Sequence, residues 1–341
     1  MAVAKAVKLA DIAGKMNVSV VTVSKALSGQ KGVSEEMREK IKKLADEMGY
    51  KQPSSTRAEG KNTSYSIGVL VGERYLDKYE SFYWNMYQEV AQKALSKGCL
   101  ATLEVVPAQN EKELILPTLV RENKVDGIIV VGVLDEDYLE RLYTDLKIPA
   151  VYLDFYSKRH ECDAVVTDNY FGMYKMTSYL FEMGHTEIAY VGNLLATESI
   201  TDRYFGYAKA LMEHGKQIRT DWIIDDRDRT TGRSDAGFEL KLPEEMPTAF
   251  VCNCDFAAGQ LIRKLEKMGY RVPEDISVVG FDNYIYPGLC DVEITTYEVD
   301  MREMARVSVN HIIKKISGEY VKQKISTVEG HMVLKASVAK K

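Results

Sequence analysis

Residues 8–50 read KLADIAGKMNVSVVTVSKALSGQKGVSEEMREKIKKLADEMGY, and their spacing predicts three short helices. The first is expected over 8–15, with Leu9, Ile12 and Ala13 on one face. Residues 14–18 make a tight turn in which Asn17 suits a left-handed backbone. Ser19 is placed to cap a second helix over Val20–Leu27. Val23, Ala26 and Leu27 lie at i, i+3 and i+4 and face a core. Val20, Val21, Thr22, Ser24 and Lys25 are left to face outward. A loop with two glycines follows at 28–32. Ser34 then caps a third helix, with Glu35 and Glu36 in the first turn, where the helix dipole favours acids. Met37, Ile41, Leu44, Ala45 and Met48 form its apolar stripe. Two helices joined by a tight turn and braced by a third form a helix-turn-helix unit, which lays its second helix in the major groove of DNA.

A small bundle with no role on nucleic acid has the same helix pattern, and charge separates the two readings. Residues 1–66 hold 12 basic and 7 acidic side chains, a net +5, within a chain whose total is −5. Residues 67–341 are therefore −10. A basic head on an acidic body points to a head that alone touches DNA. The second helix also opens with small, β-branched and hydroxyl side chains, which let its N-terminus approach base edges and phosphates.

A chain of 341 residues implies two or three domains. Apolar residues make up 45% and charged residues 28%, as expected of a water-soluble chain. No run of 18 apolar residues occurs, so no membrane span is expected. The first fifteen residues lack the apolar core and cleavage site of a secretory signal. Five cysteines, at 99, 162, 252, 254 and 290, form an odd and sparse set, expected as free thiols in a reducing cytoplasm. Cys252 and Cys254 have no accompanying Cys or His cluster, so no metal site is expected, and no cofactor motif stands out.

Residues 51–65, KQPSSTRAEGKNTSY, are polar and read as a linker. The expected organisation is therefore a head at 1–50, a linker at 51–65 and a body at 66–341. From Ser66 onward apolar runs alternate with amphipathic helices. The expected strands are 66–71, 99–106, 127–132 and 150–154, with helices within 82–97, 111–123 and 136–145. The pattern then starts again. Strands at 164–169, 188–193, 248–253 and 276–283 precede or follow helices at 170–183, 203–214 and 256–268. A helix at 301–317 and one or two final strands complete the chain. Strands apolar on both faces and joined by helices belong to parallel sheets covered on both sides. The expected fold class is thus α/β, a three-helix head plus a two-lobed body of two doubly wound parallel sheets.

The head segment KLADIAGKMNVSVVTVSKALSG, with one extra residue between Ala13 and Val18, resembles the head signature of the lac-repressor/galactose-repressor (LacI/GalR) family of bacterial transcription regulators. Residues 165–193, VVTDNYFGMYKMTSYLFEMGHTEIAYVGN, and 271–283, RVPEDISVVGFDN, resemble two of that family's longest body signatures. The likeness covers nearly the whole chain. It implies a homodimer or a tetramer whose heads each read half of a near-palindromic operator. It also implies a body like that of periplasmic sugar-binding proteins, with a small sugar-like effector between the lobes. The implied function is a transcription regulator, most simply a repressor, in the cytoplasm. The implied DNA contacts are Lys8, Ser19, Val20, Val21, Thr22, Ser24, Lys25 and Arg57.

The residues support an effector site of that kind. Ligands of open α/β sheets bind beyond the carboxyl ends of strands. Asp154, Asn253 and Asp282 end apolar runs there, and Arg203 opens the helix expected after 188–193. All four match polar effector positions of the family. Carboxylates and an amide can bind sugar hydroxyls, and arginine can fork two of them. Each could instead cap a helix or hold a loop. Asp168 and Asn169 read as a helix cap. Phe82 and Tyr83, with Tyr79 and Trp84, follow the first body strand where the family places an aromatic lid, and Phe155 and Tyr156 are weaker candidates. A flat ring covers the apolar face of a pyranose, and ordinary helix packing is the alternative.

The chain also departs from the family. Members commonly carry an Ala-Arg-x-Leu-type hinge segment whose leucine wedges into the minor groove. Here the segment is Arg57-Ala58-Glu59-Gly60, and no leucine occurs between Tyr50 and Leu70. Glu59 repels phosphate and Gly60 costs a helix entropy, while Lys51, Arg57 and Lys61 can meet phosphates. The usual aspartate after Asn253 is Cys254. Val20 and Val21 can meet thymine methyl groups but form no hydrogen bonds to bases. Two other classes compete. A pure solute-binding protein would explain the body but not the head. An α/β enzyme lacks support, since no GxxxxGK loop and no Ser/His/Asp order stands out among five histidines.

Overall fold

The computed structural model describes residues 9–27, 32–48, 64–76, 81–229, 238–284, 286 and 288–341. Lys8, Tyr79, the loop residues 28–31 and nearly all of the linker, including Lys51, Arg57 and Lys61, lie outside these. The chain divides into two compact units, residues 1–64 and 65–341.

In the first unit, α1 (Leu9–Met16), α2 (Val20–Leu27) and α3 (Glu35–Glu47) are the three expected helices. Asn17 takes φ +52° in the turn, and the Val18 N–H donates back to the Ala13 carbonyl at 3.1 Å. Ser19 Oγ accepts from the Thr22 N–H at 3.0 Å, which caps α2 as expected. Ile12, Ala13, Val23, Ala26, Ile41 and Ala45 are buried at the centre. Arg38 of α3 is also buried. Its Nη1 donates to the Ala26 carbonyl at 3.2 Å, satisfying a carbonyl that the end of α2 leaves open.

The second unit begins with β1 (Ser66–Gly72), α4 (Phe82–Ser96), β2 (Leu100–Val106), α5 (Ala108–Lys112), α6 (Thr118–Arg121), β3 (Gly127–Val131), α7 (Glu136–Asp145), β4 (Ala150–Leu153) and β5 (Ala164–Thr167). It continues with α8 (Asn169–Glu182), β6 (Ile188–Val191), α9 (Glu198–Glu213), β7 (Ile223–Ile224), β8 (Ala249–Cys252), α10 (Asp255–Lys267) and β9 (Ser277–Val279). It closes with β10 (Thr296–Glu298), α11 (Met301–Ile316), β11 (Ile325–Val328) and β12 (His331–Val333).

Two all-parallel sheets result, in the orders β11-β5-β4-β3-β1-β2 and β7-β6-β8-β9. Helices α4 and α11 pack on the first sheet, and α10 packs on one face of the second sheet with the α8–α9 pair on the other. The two-lobed α/β expectation is met, but the lobes are not two consecutive series. The strand expected to open the second lobe, β5, pairs with β4 and β11 in the first sheet. The chain therefore crosses between lobes three times, at 167–169, 298–301 and 328–331. The single helix expected over 111–123 is two short ones. α5 ends at Lys112, with Leu114 turned to φ +55°, and Pro117 stands at the N-cap of α6. Arg203 does not open its helix. Thr197 caps α9 through a 3.2 Å bond from the Ile200 N–H, which puts Arg203 in the second turn.

The three crossings meet at Asp168. It occupies the N-cap position of α8, yet its side chain makes no capping bond, contrary to the sequence expectation. Its Oδ2 accepts from the Tyr297 hydroxyl at 2.8 Å, and its Oδ1 from the Gly330 N–H at 3.1 Å. Forgoing a cap costs about 1 kcal/mol. Two hydrogen bonds to a charged acceptor contribute about 1.5–3 kcal/mol each, so the carboxylate is held where it gains more. Gly330 is required at this point, because a Cβ there would lie 2.1 Å from the Glu298 carbonyl oxygen.

Candidate functional site

In the first lobe, Asp154 follows β4 and Tyr83 lies in the first turn of α4. The Tyr83 hydroxyl donates to Asp154 Oδ2 at 3.0 Å. Asp154 Oδ1 is buried with no hydrogen-bond partner among the described residues. The Tyr75 ring lies 4.4 Å from that of Tyr83, and its hydroxyl is tied to the Val133 carbonyl at 2.8 Å. Phe82 is 6% exposed, built into the apolar core and set edge-on to Tyr284 of the second lobe at 6.4 Å. Trp84 packs on Tyr87 at 5.5 Å, and Phe155 stacks on Tyr152 inside the core.

In the second lobe, Arg203 is 5% exposed and lies over the Phe281 ring at 3.8 Å. Its Nε donates to Asn169 Oδ1 at 2.8 Å, and its Nη1 to the Asn253 carbonyl at 2.5 Å. The same Nη1 stands 3.2 Å from Asp282 Oδ1. The Asn253 side chain donates to the Val191 carbonyl at 3.0 Å and to Asp226 Oδ2 at 2.9 Å. Asp226 is in turn bound by Arg227 through Nε and Nη2, at 3.1 and 2.7 Å. Asp154, Arg203, Asn253 and Asp282, chosen from sequence, thus converge with Tyr83 on the line where the lobes face each other. Asn169, Tyr75 and Arg227 complete the cluster and were missed. Asn169 itself reads, with Asp168, as a helix cap, but it is the first residue of α8 and accepts from Arg203; Tyr75 lies three residues past β1, and Arg227 sits in a segment without periodicity.

The electrostatics place both carboxylates together. Burial pushes Asp282 up to about 7, against the pull of Arg203 and with a further push from Asp154. Burial raises Asp154 as well, again opposed by Arg203. Both carboxylates draw on Arg203, and Asp282 also on Arg227, yet burial outweighs that pull. Both also sit at positive φ, +72° for Asp154 and +104° for Asp282, in a region that favours glycine. A partner that donates hydrogen bonds to Asp154 Oδ1 and Asp282 would relieve a buried acceptor and a like-charge contact at once. Burial raises the Cys254 thiol to about 12, so it presents a neutral side chain at the position where the family places an aspartate. All five cysteines are free thiols. Among the described residues no His, Cys, Asp and Glu cluster could hold a metal ion, and no helix is long and apolar enough to cross a membrane.

In the head, Ser19, Val20, Val21, Ser24 and Lys25 are exposed along α2 and Thr22 is half-buried. Val20 and Val21 are 45% and 61% exposed, large for valines and unlike the buried Val23. The Ser19 and Thr22 hydroxyls lie 2.8 Å apart and bond each other. That leaves the two valines to present methyl groups beside Ser24 and Lys25.

Residues 8–53 match the family model described as bacterial regulatory proteins, lacI family, and residues 177–338 match the periplasmic binding protein-like domain. The HTH-type transcriptional repressor PurR of Aliivibrio salmonicida (strain LFI1238) is 26% identical over 331 residues, 97% of this chain and 98% of that one. PurR of Vibrio atlanticus (strain LGP32) is 27% identical over 329 residues, 96% of this chain and 97% of that one. Among solved structures, a transcriptional regulator CelR–cellobiose complex superposes with TM-score 0.68 at 21% identity, covering 97% of this chain and 99% of that one. The lac repressor dimer bound to operator and the anti-inducer ONPF gives 0.64 at 22% identity, covering 98% and 100%. These two likenesses concern the fold.

Proposed function

Because this chain belongs to the lacI family of bacterial regulatory proteins, we propose that its exposed α2 face reads operator DNA and that its interlobe cluster binds the effector controlling that reading. The protein is a sequence-specific DNA-binding transcription regulator and not an enzyme; its relatives are transcriptional repressors. Its sign of action is taken as repression, after those relatives. We assign the head to 1–50, the linker to 51–65 and the body to 66–341. Ser19, Val20, Val21, Thr22, Ser24 and Lys25 form the described DNA face, with Lys8 and Arg57 added from the sequence. Tyr83, Asp154, Arg203, Asn253 and Asp282 bind the effector, with Phe82 behind Tyr83. The working form is a homodimer, since a near-palindromic operator needs two heads.

One observation carries the effector reading. A buried carboxylate with an unused oxygen, Asp154, faces an arginine–carboxylate pair, Arg203 and Asp282, across two lobes of an open α/β fold. This donor and acceptor set suits vicinal hydroxyls, and Tyr75 and Tyr83 offer ring faces to a pyranose. The effector class is therefore a sugar or a sugar-bearing metabolite such as a nucleoside.

A thermal-shift panel of cellobiose, lactose, D-ribose, D-xylose, adenosine and guanosine tests this reading. A compound at about 100 times its Kd stabilises the folded state by about 2.7 kcal/mol. Arg203→Gln removes hydrogen bonds to charged groups worth about 1.5–3 kcal/mol, so affinity for that compound should fall about ten- to a hundredfold. Wild-type affinity in Arg203→Gln by calorimetry would show that the pocket lies elsewhere.

A further inference from the structure

The effector residues and the lobe crossings form one closed circuit. Starting from Arg203, the Nε donates to Asn169 Oδ1 at 2.8 Å. Asn169 is covalently joined to Asp168, whose Oδ2 accepts from the Tyr297 hydroxyl at 2.8 Å. The Tyr297 carbonyl accepts from the Asp282 N–H at 2.8 Å. Asp282 Oδ1 returns to Arg203 Nη1 at 3.2 Å. The circuit contains four polar contacts and one peptide bond, and two of the residues assigned to ligand binding, Arg203 and Asp282, belong to it. Tyr297 is fully buried and Arg203 and Asn169 nearly so, so the contacts lie away from competing water.

The same circuit holds the crossings. Asp168 lies in the first, between β5 and α8. Tyr297 lies in β10, which leads into the second. Gly330 lies in the third and donates its N–H to Asp168 Oδ1 at 3.1 Å. The Asp168 N–H reaches the Val328 carbonyl at 3.1 Å. A change of angle between the lobes turns these three segments, and Asp168 is bonded to or placed on each of them.

We infer that Asp168 and Tyr297 are positioning residues that make Arg203 and Asp282 sensors of the lobe angle, linking occupation of the effector site to the crossings through the hydrogen bond between them. The inference rests on the reading of Arg203 and Asp282 as effector residues. The coupling itself is a property of the ligand-free chain. The alternative is that the Asp168–Tyr297 bond only staples the crossings together and transmits nothing. The two differ in what a change at Arg203 does to Gly330, which is not among its hydrogen-bond partners.

Hydrogen exchange by mass spectrometry on the ligand-free full chain separates them, read at peptides covering 280–284 and 328–332, with α10 as the internal reference. Tyr297→Phe removes only the hydroxyl and keeps the ring against Phe281. It should speed exchange of both peptides about tenfold while α10 stays at its wild-type rate. Arg203→Gln should speed exchange at 328–332 about threefold or more. Asp282→Asn is the second probe of the same arm, should Arg203→Gln fail to fold. If Tyr297→Phe speeds both peptides but Arg203→Gln and Asp282→Asn leave 328–332 at the wild-type rate, the bond is a staple and the inference falls. Wild-type rates in Tyr297→Phe overturn it outright. Failure of every compound in the ligand panel would contradict the effector reading and leave this coupling result standing.

Discussion

Asp282 is a largely buried carboxylate whose pKa, pushed up to about 7, lies above its ordinary value of 3.8. The folded chain therefore holds a proton that the unfolded chain has lost between those two values. The resulting stability is fully present below the unfolded pKa and is lost as pH rises toward the folded one. In ligand-free protein, urea unfolding should show stability falling from about pH 5 to about pH 7, by at most about 1.4 kcal/mol per pH unit. Asp282→Asn should flatten that dependence. Superimposable pH profiles for the two proteins would mean that Asp282 is ionised throughout. In the head, Lys25 stands exposed on α2. Lys25→Ala should weaken operator binding about equally across sequences and reduce the slope of log affinity against log salt by about 1. A change confined to one base position would instead make Lys25 a base reader.

At the scale of elements, α8 and α9 pack with almost no gap. A Cβ on Gly206 would fall 2.1 Å from the Tyr170 carbonyl oxygen and 2.8 Å from the Tyr174 nitrogen. Backbone atoms in a helix cannot give way, so Gly206→Ala should destabilise the chain by about 1–3 kcal/mol in urea unfolding. A cost below about 0.5 kcal/mol would mean that the two helices separate freely. Elements were largely legible because their signals are local. Asn17, Ser19 and Ser34 announced the head's turn and caps, and apolar runs announced β1, β3, β6 and β8. Partnership was not legible. Ile325 pairs with Ala164 in a parallel ladder between segments far apart in sequence, and nothing in either segment specifies the other. Asp168 was readable as a cap position, but a tyrosine 129 residues further on claims its side chain. Arg203 was placed one turn too early because Thr197 was not read as the cap, although Thr197-Glu198 is a recognisable start signal. The members of the proposed effector cluster were legible residue by residue, since strand ends locate most of them, while the Asn169 and Arg227 contacts depend on the assembled lobes.

For the whole molecule, charge divides the labour. Residues 1–66, head and linker together, carry +5 and suit phosphate, and the −10 remainder does not. The linker sequence bears on DNA shape. A leucine wedge partly unstacks a base step and kinks the duplex by about 20–90°, and the chain has none between Tyr50 and Leu70. We expect little operator bending in a circular-permutation gel, and Gly60→Leu should raise bending and affinity together. A large bend with the unmodified chain would mean that another residue enters the groove. The most direct test of the central claim, a DNA-reading head governed by an effector-binding body, is a fluorescence anisotropy titration. It uses a duplex selected from a random pool by the full chain, and compares that chain with residues 62–341 at low and high salt. The full chain should bind with an affinity that falls steeply with salt, and residues 62–341 should show no measurable binding. Equal affinity for the two proteins, or failure of the full chain to select any sequence, would contradict the account.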